Sequence, residues 1–232
     1  MSDVKKPCPR LSWHHTITFH LLGIGFRIAF RLYAKWQIIG RENVPRRGPI
    51  IFAANHASYV DPPLAWASIY GYRRMWGLAK EELWKRGIIS YLMNSIGAVP
   101  VKRHTADRVM IRRCLELLAC GETIGIFPEG TRTYDGLLNP AEPGMALLCQ
   151  KSGAPILPVA LIGTYEMLPR SAKKWKRCRL KVVYGKPLTF AANTSREEIG
   201  ATVMREIARL LTENGVPMEA PAPERALTLP KE

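Results

Sequence analysis

The stretch GPIIFAANHASYVDPP (residues 48–63) joins a short apolar run to a polar cluster and then to two prolines. Residues 50–54 have the uninterrupted apolar character of a strand that is buried on both faces of a parallel sheet. Pro62 and Pro63 suit the first turn of the helix that the following residues predict, with Gly71 as its end. A polar loop between such a strand and helix lies at the carboxyl end of the strand, where open α/β sheets bind their ligands.

The same alternation of apolar strands and helices continues along the chain. Strand patterns occur at 75–79, 98–101, 123–127, 155–163 and 179–185, and helical patterns at 81–97, 106–119, 144–153 and 195–213. This order predicts an α/β fold with a mostly parallel sheet covered by helices. Polar clusters follow the strands that end at Ala54, Val101 and Phe127, and parallel strands would bring these clusters to one edge of the sheet.

Turn-rich residues 40–49 and a proline-rich tail divide the chain into three parts. Residues 1–39 are predicted to be a helical segment at a membrane interface, and residues 40–216 the main domain. Residues 217–232 contain four prolines and little periodicity, which predicts a flexible tail.

The predicted N-terminal helix has a polar arc and a wide apolar remainder. Residues 11–26 contain no Asp, Glu, Lys or Arg, but they are fewer than the roughly 20 apolar residues needed to cross a bilayer. The rest of the helix surface is aliphatic and aromatic, which favours an amphipathic helix lying in a membrane interface. A core helix with a solvated basic strip is the alternative. The polar arc consists of Thr16, His20, Arg27, Arg31 and Lys35.

The chain is strongly basic, with 34 Lys and Arg against 19 Asp and Glu, and the net charge of +15 favours polyanionic partners. Residues 170–181 contain seven cations and no acid, with Trp175 among them. This segment suits either a nucleic acid or anionic lipid headgroups. An interfacial helix would be unusual in a nucleic-acid-binding protein. The sequence therefore predicts a membrane lipid surface as a partner and no nucleic acid.

The five cysteines are scattered and form no CxxC pair, which predicts reduced thiols in a cytoplasmic setting rather than disulfides or a zinc site. No second His or Cys lies at ligand spacing to His56, so no metal is predicted. The chain contains neither GxxxxGK[ST] nor GxGxxG, so no nucleotide cofactor is predicted either.

NHASYVD (55–61) places a histidine and a carboxylate directly after the first strand. His56 suits proton removal near neutral pH, and Asp61 is far enough along the chain to fold back and hold one ring nitrogen. Pro62 favours an extended Asp61, which would help that return. Ser58 lacks the GxSxG setting of a nucleophile, so we interpret Ser58 and Asn55 as scaffold for the loop. Taken alone, the cluster is equally an N-cap with an incidental histidine.

FPEGTRT (127–133) and GAVPVKR (97–103) also end strands. Gly130 permits close backbone approach, Thr131 adds a donor, and Arg132 offers a planar fork for phosphate. Glu129 would receive a substrate hydroxyl or orient Arg132. Together with Arg132, the cations Lys102 and Arg103 would form a clamp for a dianionic phosphate. A solvated turn with an ordinary ion pair is the alternative for the first segment.

Four blocks, NHASYVD, GAVPVKR, FPEGTR and ILPVALIGT, follow one another in that order between residues 35 and 190. In this the chain resembles the PlsC-type glycerolipid acyltransferases, particularly the 1-acylglycerol-3-phosphate acyltransferases. The resemblance implies an αβ acyltransferase fold and a monotopic enzyme on the cytoplasmic face of the cell membrane. It also implies acyl transfer from acyl-CoA or acyl carrier protein, as co-substrate without a cofactor, to the free hydroxyl of lysophosphatidic acid, giving phosphatidic acid.

The resemblance assigns roles to residues of this chain. It implies that His56 is the general base, that Asp61 orients it, and that Glu129, Gly130, Arg132 and Arg103 bind the acceptor phosphate. Two alternatives stay open at this point. One is acylation of glycerol-3-phosphate or a different lysolipid, and the other is a non-catalytic protein that binds anionic lipid, in which His56 and Asp61 would be dispensable.

Overall fold

The computed structural model describes residues 8, 11–102, 107–172, 174–222 and 225. The strands in this part of the chain are β1 (Gln37–Ile39), β2 (Ile50–Ala54), β3 (Met75–Lys80), β4 (Ala98–Val101), β5 (Thr123–Ile126), β6 (Ile156–Ile162) and β7 (Lys181–Tyr184). The helices are α1 (Trp13–Ala34), α2 (Asp61–Ile69), α3 (Gly87–Ser95), α4 (Arg108–Ala119), α5 (Pro143–Ser152), α6 (Thr164–Met167) and α7 (Arg196–Glu213).

The seven strands form one sheet in the order β1-β7-β6-β2-β5-β3-β4. Neighbours from β6 to β4 run parallel, whereas β7 is antiparallel to β6, and β1 pairs in parallel with β7. The predicted mostly parallel, helix-covered α/β fold is confirmed. Two short elements, β1 and α6, were not predicted, because three or four residues are too few to establish a hydrophobic period.

β2 lies at the centre of the core. Its alternating side chains divide between two apolar clusters, with Ile51 and Ala53 on one face and Ile50, Phe52 and Ala54 on the other. Helices α4, α5 and α7 cover the first face, and α1 and α2 cover the second. All five residues of β2 are buried, as its continuous apolar sequence predicts.

α1 packs along α2 through aromatic rings. Phe19 and Phe26 meet the ring of Trp66 edge-on, with centroids 5.0 and 6.2 Å apart. Between them Gly23 lies against Tyr70 so closely that a Cβ at this position would come within 2.4 Å of the Tyr70 ring. A larger side chain at Gly23 therefore could not be accommodated without moving the Tyr70 ring or the helix.

The opposite side of α1 is apolar and exposed. It presents Trp13, Ile17, Leu21, Ile24, Ile28 and Leu32, which we call the apolar stripe. Arg27 of the predicted polar arc instead donates to the carbonyl of Tyr70. At 22 residues α1 is long and apolar enough to cross a membrane by length and composition. This corrects the length estimate from residues 11–26, which omitted the apolar residues that follow Arg27.

Cys8 and Cys120 form a disulfide, which corrects the prediction that the cysteines are reduced thiols. The pair is 112 residues apart in sequence, and Cys120 ends α4, so no local spacing indicates the contact. Cys114 and Cys149 are buried thiols, and Cys178 is a partly buried one.

Candidate active site

His56 and Asp61 meet at the carboxyl end of β2. The Nδ1 atom of His56 lies 2.9 Å from Oδ2 of Asp61, which is fully buried. The backbone N–H groups of Ala57 and Ser58 donate to the same oxygen, both at 2.6 Å. Three donors thus surround one carboxylate oxygen, which stabilises its negative charge.

Asp61 is the first residue of α2 rather than the extended residue that Pro62 predicts. The two prolines occupy the first turn of the helix, where a missing N–H costs nothing. The contact with His56 does not depend on an extended Asp61, because the loop folds so that the N–H groups of Ala57 and Ser58 point at the Asp61 carboxylate. A negative charge at this end of a helix is also favoured by the helix dipole.

The ring of His56 is nearly buried and stacks on Phe127, with centroids 4.0 Å apart. A carboxylate accepts hydrogen bonds only, so the contact with Asp61 places the imidazole proton on Nδ1. Nε2 of the neutral ring is then a proton acceptor. This arrangement is the one that general-base catalysis requires.

Ser58 and Asn55 fasten the loop to the rest of the fold. The Ser58 hydroxyl donates to the carbonyl of Leu168 at 2.7 Å and accepts the N–H of Val60. The Asn55 side chain bonds both the N–H and the carbonyl of Leu161 in β6, at 2.7 and 3.0 Å. These contacts favour a scaffold role over a nucleophilic one for Ser58.

Glu129 holds the backbone of His56. One carboxyl oxygen accepts the N–H of His56 at 2.7 Å, and the other accepts the N–H of Asn139 at 2.9 Å. Burial raises the pKa of the Glu129 carboxyl to about 8, while the two N–H bonds oppose this shift by favouring the carboxylate. Both carboxyl oxygens of Glu129 accept backbone N–H groups, so its observed role is to hold the main chain at His56 and Asn139. Its predicted contact with a phosphate stays a prediction.

The loop after Glu129 brings two polar groups next to the histidine. The N–H of Thr133 donates to the carbonyl of His56 at 2.9 Å, and Gly130 makes the turn with a φ of 69°. Arg132 stacks on Tyr59, its guanidinium carbon 3.4 Å from the ring centroid. Within the described part of the chain, Nη1 of Arg132 and Oγ1 of Thr131 are buried without a hydrogen-bond partner. Buried donors of this kind suit an anionic ligand.

Lys102 and Arg103 follow β4, whereas Arg132 follows β5, which lies two strand positions from β4. At ordinary strand spacing this is about 10 Å. The Nζ atom of Lys102 is exposed and lies 4.0 Å from a carboxyl oxygen of Glu81. Arg103 lies outside the described residues. The predicted three-cation clamp of Lys102, Arg103 and Arg132 therefore stays a prediction.

Sequence reasoning missed several residues that shape the site. Phe127 lies inside FPEGTRT and Tyr59 inside NHASYVD. Phe127 stacks on His56 and Tyr59 on Arg132, and the aromatic residue in each motif was the available signal. Asn139 contributes a backbone N–H, and Arg225 reaches the same loop from the tail. Neither left a pattern in the sequence. Among the described residues, no three His, Cys, Asp or Glu side chains are grouped so as to hold a metal ion.

Comparison with known proteins finds relatives of this chain. The chain is 31% identical over 169 residues to "1-acyl-sn-glycerol-3-phosphate acyltransferase" of Bacillus subtilis, covering 71% of this chain and 81% of the relative. It is 29% identical over 167 residues to the chloroplastic "1-acyl-sn-glycerol-3-phosphate acyltransferase BAT2" of Brassica napus. That match covers 71% of this chain but only 46% of the plant protein.

A solved structure is also similar. The crystal structure of the 1-acyl-sn-glycerophosphate (LPA) acyltransferase PlsC from Thermotoga maritima superposes with a TM-score of 0.74 at 27% sequence identity, covering 86% of this chain and 80% of that one. The family model "Acyltransferase" matches residues 35–162, which include β2 and β5 and the loops that carry His56 and Arg132. The chain therefore belongs to the acyltransferase family.

Proposed function

We propose that the protein transfers a fatty acyl group from acyl-CoA or acyl carrier protein to the free hydroxyl of 1-acylglycerol-3-phosphate, giving phosphatidic acid. The observation that carries this proposal is that the loop of the His56–Asp61 pair is hydrogen-bonded to the loop in which Thr131 Oγ1 and Arg132 Nη1 are buried without a hydrogen-bond partner among the described residues. A base and an anion site on two hydrogen-bonded loops suit an acceptor that bears both a hydroxyl and a phosphate. The names of the relatives support the same acceptor.

In the proposed reaction His56 is the general base. Its Nε2 takes the proton of the acceptor hydroxyl as the oxygen attacks the thioester carbonyl and a C–O bond forms. Asp61 stabilises the imidazolium through Nδ1. The tetrahedral intermediate then expels the thiolate by breaking the C–S bond, and the proton on Nε2 passes to the sulfur. No covalent acyl-enzyme is required, because the thioester is already activated.

Arg132 is the proposed anchor of the acceptor phosphate. A guanidinium presents its donors in a plane that matches two phosphate oxygens, and the stack on Tyr59 holds that plane in place. The Thr131 hydroxyl supplies a further donor from the same turn. The phosphate then fixes the position of the hydroxyl that faces His56.

Arg132→Ala is expected to lower kcat/KM for lysophosphatidic acid by about 100-fold, because a charge-assisted phosphate contact contributes on the order of 2–5 kcal/mol. Arg132→Lys should lose less, since it keeps the charge but not the fork. Monoacylglycerol, which has no phosphate, should show a small change at most. The measurement is a steady-state acyl-transfer assay with lysophosphatidic acid, glycerol-3-phosphate and monoacylglycerol as acceptors.

Arg46→Ala is the matched control for this assay. Its guanidinium carbon lies 3.5 Å from the Tyr72 ring in a similar stack, but Arg46 precedes β2, at the opposite edge of the sheet. Equal losses for the two variants, or equal use of phosphorylated and unphosphorylated acceptors by the wild-type protein, would contradict the proposed phosphate site. Wild-type protein that acylates none of the three acceptors would contradict the proposed function.

We also propose that the protein is monotopic and attaches to the cytoplasmic face of the membrane through α1. The apolar stripe would enter the interface, and the basic loop 174–179 lies next to it. Arg177 of that loop donates to the carbonyls of Tyr33 and Leu32 at the end of α1, at 2.8 and 3.1 Å. Exposed cations beside an exposed apolar helix face suit an anionic lipid surface.

Leu21→Gln should weaken binding to vesicles of anionic phospholipid by about tenfold, the cost of not burying roughly one aliphatic side chain. Leu21 is 67% exposed in the stripe, and Val109 on α4, 80% exposed, is its matched control. Because α4 covers the other face of the sheet, Val109→Gln should bind vesicles as the wild type does. The measurement is co-sedimentation, and equal binding by all three proteins would refute attachment through α1.

A further inference from the structure

Arg225 of the C-terminal tail is bound to the loop that carries the anion site. Its Nη2 lies 2.6 and 2.8 Å from the two carboxyl oxygens of Asp135, and its Nε donates to Oδ1 of Asn139 at 3.1 Å. One guanidinium therefore joins two points that are four residues apart in the loop. The Arg225 hydrogen bond is also the main reason that the pKa of Asp135 falls to about 2, so this carboxylate stays ionised at physiological pH.

Asn139 connects Arg225 to the N–H of His56. Asn139, whose side chain receives Arg225, donates its backbone N–H to Glu129 at 2.9 Å. The other oxygen of Glu129 accepts the N–H of His56 at 2.7 Å. The Arg225–Asn139–Glu129 chain thus ends on the amino side of the catalytic histidine.

Asp135 connects Arg225 to the carbonyl of His56. Oδ1 of Asp135 accepts the hydroxyl of Thr133 at 2.9 Å as well as the N–H of Leu137 at 3.1 Å. The N–H of Thr133 donates to the carbonyl of His56 at 2.9 Å. The peptide groups on both sides of His56 are therefore held by one loop, and Arg225 braces that loop from outside.

We propose that Arg225 is a positioning residue, which fixes the 133–139 loop in the conformation that holds the His56 backbone in place for catalysis. The inference rests on the proposed function, in which His56 is the base. Arg225 acts through Asp135 and Asn139 and contacts neither acceptor nor thioester. Small displacements of a catalytic group are costly, since misplacement by about 1 Å lowers rates up to 100-fold.

The test compares two variants of Arg225 with the wild type, each as the whole 232-residue chain. Arg225→Ala should lower kcat between about tenfold and 100-fold and leave KM for both substrates nearly unchanged. Arg225→Lys should fall between this variant and the wild type, because an ammonium can pair with Asp135 but lacks the fork that also reaches Asn139. Adding guanidinium at millimolar concentration should partly restore Arg225→Ala, since the small cation can occupy the same two carboxyl oxygens.

Arg209→Ala is the matched control. Arg209 on α7 also pairs with two carboxyl groups, those of Glu206 and Glu213, but both partners belong to α7 itself and neither lies in the 133–139 loop. It should keep wild-type kcat and show no response to guanidinium. An equal loss in the two alanine variants, full activity of Arg225→Ala, or a change confined to KM for the acceptor would each overturn the proposal.

Hydrogen exchange separates this proposal from the function on which it rests. The N–H groups of His56 and Asn139 both donate to buried Glu129, so they should be protected in the wild type. Arg225→Ala should exchange both about tenfold faster, whereas Arg209→Ala should not. Unchanged exchange overturns the brace even in an active enzyme. A wild-type protein with no transferase activity would instead contradict the proposed function, and the exchange result would still decide whether Arg225 braces the loop.

Discussion

His56→Ala should lower kcat for acyl transfer to lysophosphatidic acid by about 10³-fold, the usual scale for removing a general base. The residues that follow it directly, Ala57 and Ser58, have no side-chain nitrogen that could act as a base. Substrate binding should change little, because the proposed phosphate contacts belong to Thr131 and Arg132. Single-turnover kinetics with short-chain acyl-CoA would measure the chemical step alone.

His20→Ala controls for the loss of a histidine in general. Its ring binds the hydroxyl of Tyr70 at 2.9 Å on the surface of α1, so the same substitution there should leave kcat unchanged. A His56→Ala enzyme that retained more than a tenth of wild-type turnover would contradict the general-base role. An acyl group found on Ser58 by mass spectrometry would show that a covalent route operates instead.

Asp61→Asn should also be severe, with a fall in kcat of about 10³-fold. The asparagine oxygen can still accept the bonds that now converge on Oδ2, so the loop should keep its shape. The neutral amide, however, cannot stabilise the imidazolium that forms when His56 takes the proton. KM for lysophosphatidic acid and the melting temperature should change far less than kcat.

Asp107→Asn is the comparison for this variant. Asp107 likewise accepts backbone N–H groups, from Lys102 and Met110, both at 2.9 Å, but it does so as the N-cap of α4. Its loss should affect stability and spare kcat. If both asparagine variants lost activity in proportion to their melting temperatures, Asp61 would be structural only.

Much of the fold follows from local sequence patterns. The run IIFAA predicts a strand covered on both faces because none of its side chains is polar, and β2 is buried throughout. Gly153 marks the end of α5 because it adopts a φ of 65°, which glycine tolerates best. β1 escaped prediction because Gln37–Ile39 is too short to show alternation and follows directly from a helical pattern.

The candidate site likewise contains some contacts that the sequence predicts and others that it does not. Asp61 is five residues from His56, so a single turn can bring them together and the spacing alone suggested the contact. Glu129 binds the N–H groups of His56 and Asn139, and every non-proline residue has such a group, so no residue pattern could identify these partners. Arg225 and Cys8 reach their partners from the two ends of the chain, across 86 to 112 residues.

The close contact of Gly23 with Tyr70 also governs orientation. An α-helix turns by about 100° for each residue, so a helix shifted by one position would swing its outer side chains to a different quarter of the protein. The absence of a side chain at Gly23 lets α1 lie against the Tyr70 ring at this angle about its own axis, and any residue with a side chain turned to that side would meet the ring. Together with the packing of two phenylalanines of α1 on Trp66, this contact fixes which side of α1 faces outward relative to the end of β2 that carries His56. In the membrane-attached enzyme that we propose, the packing of α1 on α2 therefore sets how the His56 end of the sheet is oriented relative to the bilayer.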